Sequence, residues 1–306
     1  MNKIFELLDL LSQRDYYLSK LKSMDYGAVE KRGNYLYTHY KLDGDNYTKY
    51  IGEYTEDLYN KTVNNNNEAK AIKKELRRIN RKLDDLDFND QELTDAVKWN
   101  IDLAKRRLPD TVYKQAVLEG VNTTFIKTDD IVQTGKVKNM DASDVYVIIN
   151  LKHAWEFILN KYVITSPTDF SILCAINKYI EEGFNFNGGK IRTIPVSIGG
   201  TDWVPDFPFE ADIKDDIEKI VNKKKSAVDI AVELLLYVSR KQMFIDGNKR
   251  TAVIFANHYL ISKGKGLIVV PDKKVDEYKK LLMNFYETNN SKEISEFLKK
   301  YCYTEL

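Results

Sequence analysis

Gln242-Met243-Phe244-Ile245-Asp246-Gly247-Asn248-Lys249-Arg250-Thr251-Ala252 is the stretch on which the reading of this chain turns. Apolar residues at helical spacing precede it (Val228, Ala231, Val232, Leu235, Leu236, Val238) and predict a helix ending near Arg240 or Lys241. A second helical run follows, with Ala252, Val253, Phe255, Ala256, Tyr259 and Leu260 on one broad face. Between the two lies Asp-Gly-Asn, in which Gly and Asn tolerate positive φ. Successive backbone N–H groups in such a turn can converge on an anion, and the next helix N-terminus adds partial positive charge. Lys249 and Arg250 supply side-chain cations, Arg with a fork suited to phosphate oxygens. Asp246 offers a carboxylate to Mg²⁺, which often takes one protein carboxylate plus phosphate oxygens and water. The same residues also fit an ordinary helix corner with a solvated Asp and two surface cations. Residue types alone leave both readings open.

Further segments tilt the balance. Phe244, Asp246, Gly247, Asn248 and Arg250 fit the pattern HxFx[DE]GN[GK]R, and the stretch resembles the signature of the Fic/Doc (Fido) family. Lys249 before Arg250-Thr251-Ala252 looks like the Doc branch, NKR, more than the Fic branch, GNGRxxR. Upstream, Gly189-Lys190-Ile191-Arg192 and Val196-Ser197-Ile198-Gly199-Gly200 are similar to the family's β-hairpin flap, with Pro205 and Pro208 following. The resemblance runs from about Glu119 to the C-terminus. It implies a mainly α Fic-type helical bundle with a β-hairpin flap. It also implies ATP with Mg²⁺ as cofactors, Asp246 as metal ligand, and Gly247, Asn248, Lys249 and Arg250 around the phosphates. Arg192, Val196, Ile198 and Gly199 then fall in the flap that clamps a protein target by main-chain pairing.

Three departures qualify that implication. The family's catalytic His, which accepts a proton from the target hydroxyl, sits where this chain has Gln242. Gln has no titratable nitrogen and cannot be a general base. Where Fic-branch members carry a second Arg, this chain has Val253. The Doc branch also lacks that Arg, and resemblance to it implies transfer of phosphate instead of AMP. Many Fic proteins have an inhibitory helix, [ST]xxxE[GN]. Here Glu119-Gly120-Val121-Asn122-Thr123-Thr124-Phe125-Ile126-Lys127-Thr128 matches its surroundings, with Thr123 in the Ser/Thr place and Lys127 in the Glu place. A Lys directed at the phosphate region attracts a nucleotide instead of repelling it. His258, on the helix after the motif, is too far from position 242 to substitute. His153, beside Ala154, Trp155, Phe157 and Ile158, reads as structural.

Composition bounds these ideas. The 306 residues carry 47 basic and 46 acidic side chains, formal charge +1, so no global field favours nucleic acid. Two cysteines, Cys174 and Cys302, without metal-ligand spacing argue for a reducing, cytoplasmic setting. The N-terminus is an amphipathic helix interrupted by acids, not a signal peptide. No apolar run is long enough to span a membrane. A near-match to a P-loop at Gly183 to Lys190 fails, because Gly189 stands where Lys belongs and the Ser/Thr is missing.

Three segments are expected. Residues 1–63 form a helix and β-hairpin module, the hairpin built from 33–42 and 47–52 about an Asp43-Gly44-Asp45 turn. Its tyrosines read as cross-strand pairs more readily than as base-stacking platforms. Residues 64–108 form a helical-hairpin linker. Asn64 to Asn67 reads as a turn, and an apolar seam (Ile72, Leu76, Ile79, Leu83, Leu86) faces a partner helix from Leu93, Ala96, Val97, Ile101, Leu103 and Ala104. The basic face of the first helix (Lys70, Lys73, Lys74, Arg77, Arg78, Arg81, Lys82) reads as solvated, though no other stretch is basic enough for nucleic acid. Residues 109–306 form the Fic/Doc-like domain, closing with helices over 272–287 and 291–301, the second capped by Ser291.

Two functions remain open. One is an enzyme moving AMP or phosphate from ATP-Mg²⁺ to a protein Ser, Thr or Tyr hydroxyl, with Gln242 only orienting that hydroxyl. The other is an inactive nucleotide sensor or protein-binding module of a toxin–antitoxin or defence system, with an antitoxin or a second copy as partner. Neither nucleic acid nor a membrane is expected as a partner.

Overall fold

A computed structural model describes residues 2–42 and 44–305. Met1, the first residue of the expected N-terminal helix, and Asp43, the first of the expected hairpin turn, lie outside the described residues. The chain divides into two compact units, Lys3–Asp90 and a second beginning at Gln91. The divide therefore falls after the basic helix, not at the expected 63/64 and 108/109.

The first unit runs α1 (Lys3–Ser23), β1 (Ala28–Arg32), β2 (Tyr35–Leu42), β3 (Asp45–Glu53) and α2 (Glu56–Asp85). The expected hairpin is β2–β3, and β1 adds a third antiparallel strand on the other side of β2. Tyr37 faces Tyr50 and Tyr40 faces Tyr47, so the tyrosines are cross-strand pairs, the second stacked with ring centroids 5.5 Å apart. Thr55 caps α2 by accepting from the Leu58 N–H. The helix then continues through Asn64 to Asn67, where a turn was expected. The asparagines find tertiary partners: Asn65 Nδ2 donates to the Asp25 carbonyl, and Asn66 Oδ1 accepts from the Gly27 N–H. Those bonds replace the local ones by which Asn otherwise competes with helix. The α2 seam packs on α1, in a cluster of Leu21, Tyr26, Ala69, Ile72 and Leu76, so no 64–108 hairpin forms.

The second unit contains α3 (Asp95–Arg106), α4 (Leu108–Leu118), α5 (Phe125–Thr134), α6 (Ala142–Ile158), α7 (Lys161–Ile164), α8 (Phe170–Ile180), α9 (Glu210–Val221), α10 (Ala227–Lys241) and α11 (Asn248–Ser262). Then follow β4 (Leu267–Ile268), α12 (Val275–Thr288), α13 (Lys292–Phe297) and β5 (Tyr303–Thr304), which pairs antiparallel with β4. Val97, Ile101 and Ala104 of α3 are buried, and that helix packs against α4 and α11. Apart from Lys249, every residue of α11 from Asn248 to Ile261 is buried, the polar Asn248, Arg250, Thr251, Asn257 and His258 included. It packs against α6, α8 and α10. Asn257 ties it to β4, donating to the Ile268 carbonyl and accepting from the Ile268 N–H. Ser291 stands at the N-cap of α13 without a side-chain cap bond, and Asn290 Oδ1 accepts from the Lys292 N–H instead.

The expected flap hairpin is absent: 191–209 contains no strand among the described residues. Pro195, Pro205 and Pro208 offer no N–H to a ladder. The carbonyls of Ile194, Pro205 and Asp206 accept from the Arg192 guanidinium.

Candidate functional site

The helix α10 ends at Lys241, and Gln242 takes the left-handed conformation at φ 46°, which turns the chain towards α11. Gly247 is the second left-handed residue, at φ 75°. A Cβ there would meet Glu181 Oε1 at 2.7 Å, Ile180 Cγ2 at 2.9 Å and Asn177 Nδ2 at 3.0 Å, so only glycine fits. Asn248 closes the turn with both ends of its amide. Its Oδ1 accepts from the Phe244 N–H at 3.0 Å, and its Nδ2 donates to the Phe244 carbonyl at 2.8 Å. Asn248 thus holds the loop with its side chain and keeps only its backbone N–H for an anion.

The backbone N–H groups of Asn248, Lys249 and Arg250 have no acceptor among the described residues, and α11 has no side-chain cap. These first-turn donors are the ones a helix leaves unsatisfied. Asp246 is 73% exposed at its side chain, and its Oδ1 accepts from the Gly247 N–H at 2.6 Å. No group of three or more His, Cys, Asp or Glu side chains suited to a metal occurs among the described residues.

Arg250 is only 8% exposed, and carboxylates surround it. Its Nη2 lies 3.2 Å from Glu181 Oε1 and 3.4 Å from Asp246 Oδ2, and its Nε lies 3.7 Å from Glu119 Oε2. Lys249 Nζ is 3.8 Å from the same Glu119 oxygen. Burial pushes the Glu181 carboxyl up to about 7, Asp246 and Glu119 adding to the effect while Arg250 opposes it. Gln115 Nε2 donates to the Arg250 carbonyl, and Asn177 Nδ2 to the Asp246 carbonyl, so α4 and α8 both fasten the turn.

Gln242 is buried, and its Nε2 donates to the Ser239 carbonyl at 2.6 Å. Its own carbonyl accepts from Arg192 Nε at 2.7 Å. Arg192 is buried and donates further to the carbonyls of Ile194, Pro205 and Asp206, while its backbone N–H donates to the Met243 carbonyl. It is therefore a staple between the motif turn and 194–206, not an exposed clamp on a target. Val196 and Ile198 are half-buried and Gly199 is exposed on the same segment. Thr123 and Lys127 are not brought to the motif arginine. The Thr123 hydroxyl pairs with that of Thr128, and Lys127 Nζ donates to the Asn139 carbonyl. α5 packs on α4 and α6.

His258 is buried, with Nδ1 against the Thr168 hydroxyl and Nε2 against the Val163 carbonyl, and burial pushes it down to about 4. Its ring is committed to structure. His153 is exposed on α6, not packed as expected, because α6 turns Ala154, Trp155, Phe157 and Ile158 inward instead. Sequence reasoning missed Glu181 and Asn177 and the pairing of Glu119 with Arg250. Asn177 left a signal, a polar residue on the apolar face of Ile172, Leu173, Ile176 and Ile180. Glu181 left none, being 69 positions from Arg250 and one of two adjacent acids.

Residues 167–260 match the model of the Fic/DOC family. Among solved structures, Fic-1 (residues 134–508) from C. elegans is 19% identical with TM-score 0.56, over 77% of this chain and 74% of that one. A Fic domain containing signaling protein from Bacteroides thetaiotaomicron VPI-5482 is 19% identical with TM-score 0.51, over 63% and 75%. A Fic family protein from Desulfovibrio desulfuricans G20 is 14% identical with TM-score 0.51, over 69% and 73%. At these identities the likeness shows the fold. No curated protein matches the chain.

Proposed function

From the Fic/DOC family domain matched over residues 167–260, we propose that this protein binds ATP-Mg²⁺ and moves AMP or phosphate to a Ser, Thr or Tyr hydroxyl of a protein, with chemistry weakened at Gln242. The observation that carries the reading is the uncapped N-terminus of α11. Three unpaired backbone N–H groups and the helix dipole meet there beside Asp246, an arrangement that favours an anion. When bound, ATP supplies the group to be transferred. Asp246 is the metal ligand, and its exposed carboxylate fits an ion held mostly by phosphate oxygens and water. Gly247, Asn248, Lys249 and Arg250 hold phosphate, the first by permitting the turn and the next three through N–H groups and cations.

Gln242 cannot take a proton, and its amide is turned to Ser239. Loss of a general base costs about 10²–10⁴ in rate, while positioning and charge stabilisation still act. The decisive experiment is label transfer from α- and γ-labelled ATP into proteins of a lysate, for this chain and for Gln242→His. Slow transfer by the unmodified chain, rising about 10²–10⁴ on Gln242→His, is expected. Which label transfers separates AMP from phosphate. Silence from both variants removes the enzyme reading.

A second reading is favoured by the carboxylates at Arg250. An inactive nucleotide sensor or protein-binding module, in a toxin–antitoxin or defence system, keeps the turn but not the base. Nucleotide binding without transfer by either variant supports it.

A further inference from the structure

The first unit holds a groove of about 580 Å³ that the nucleotide reading leaves unused. It lies among α1, α2 and β2, and Leu18 and Leu76 contribute apolar surface to it. Arg14, Lys41, Lys73 and Arg77 also line it, against a single acid, Asp90. Asp90 is taken by Arg14, whose Nη2 lies 3.6 Å from it, while the buried Arg14 Nε makes no hydrogen bond and lies 3.9 Å from Asp15 Oδ1.

The remaining three cations have no carboxylate among the described residues. Lys73 Nζ donates to the Lys41 carbonyl and sits over the Tyr26 ring, and Arg77 Nε donates to the Lys73 carbonyl. Lys20 pairs with Glu68, Arg32 with Glu30, Lys49 with Asp25, and Arg78, next to Arg77, with Glu75. Among the described residues Lys70, Lys74, Arg81 and Lys82 of α2 also lack a carboxylate, but Lys41, Lys73 and Arg77 lack one while lining a concavity. Like charges brought together repel, and an anion seated among them removes that repulsion.

We propose that this groove binds a small organic phosphate of nucleotide size. The volume lies within the range of small-molecule pockets, roughly 300–1,000 Å³. Lys41, Lys73 and the Arg77 guanidinium take the phosphate, and the leucine surface takes the organic body. Of the basic residues along α2, Lys73 and Arg77 line the concavity, where Lys41 of β2 joins them. The proposal does not depend on the reading of α11.

The test is titration of AMP and of inorganic phosphate into the full-length chain by calorimetry, repeated with Lys73→Glu/Arg77→Glu, with Lys41→Glu and with Arg250→Ala. Lys41 and Arg77 are exposed, so their reversal leaves the core intact. Expected is saturable AMP binding, tighter than that of phosphate, weakened at least tenfold by the double variant and by Lys41→Glu but retained in Arg250→Ala. Three results overturn the proposal. One is AMP binding lost only in Arg250→Ala; another is equal affinity for AMP and phosphate. The third is binding only of a single-stranded oligonucleotide, weakened as much by Lys74→Glu as by Arg77→Glu.

Discussion

Arg250 has three carboxylates within 3.7 Å. A phosphate entering the α11 turn must compete with Glu181, Glu119 and Asp246 for one buried guanidinium. Glu181 is the partner most sensitive to pH, because burial raises its carboxyl to about 7. Below that pH the carboxyl is neutral, and Arg250 has one fewer anion to satisfy. Nucleotide affinity should therefore fall as pH rises from 6 to 8. In Glu181→Gln it should change less, and the difference between the two proteins cancels the nucleotide's own titration. Equal pH dependence in both, measured as the Kd for ATP-Mg²⁺, counts against this competition. The same shift bears on stability. The unfolded carboxyl ionises near its ordinary value of 4.5 while the folded one stays protonated to about 7, so stability is lost as pH rises across that window. His258, lowered to about 4, acts with the opposite sign: its contribution is lost as pH falls from 6.5 towards 4.

At the scale of elements, Arg192 gathers several carbonyls of the segment after α8. It directs its guanidinium to the carbonyls of Gln242, Ile194, Pro205 and Asp206. Each buried carbonyl left unpaired costs about 1–3 kcal/mol. Arg192→Leu should raise amide hydrogen exchange over 191–209 and at Gln242 while leaving the protection of α11 near its original level. Loss of protection throughout the second unit would instead make Arg192 a core residue. α10 and α11 were legible because their apolar spacing is strong and Asp-Gly-Asn marks the break between them. The flap was not, since the hairpin there was implied by a resemblance, and the capture of its carbonyls by Arg192 is not a local property. The Asn64 to Asn67 turn failed for a related reason: the partners that hold those asparagines in helix come from Asp25 and Gly27.

At the scale of the molecule, the division falls between α2 and α3. Residues 86–94 carry no helix or strand beyond a turn and are largely exposed. Limited proteolysis should cut first within this stretch and release two protected fragments, read by mass spectrometry. First cuts inside α2, near Asn64, would contradict the continuous helix. Among the described residues no helix is long and apolar enough to cross a membrane. The basic face of α2 was visible as a charge pattern, but its partition was not. The pairing of Arg78 with Glu75 is an i,i+3 contact local to the helix, whereas only the fold brings Lys73 and Arg77 to a groove with Lys41. By itself the sequence determined the helical class, the turn at Asp246 to Asn248 and that Gln242 carries no titratable nitrogen, because periodicity, backbone permissiveness and side-chain chemistry are local properties. The tertiary structure alone decided that Glu181 and Glu119 close on Arg250, that Arg192 is a staple and that α2 packs on α1. Those outcomes depend on burial and on partners distant in the chain, which no local pattern encodes.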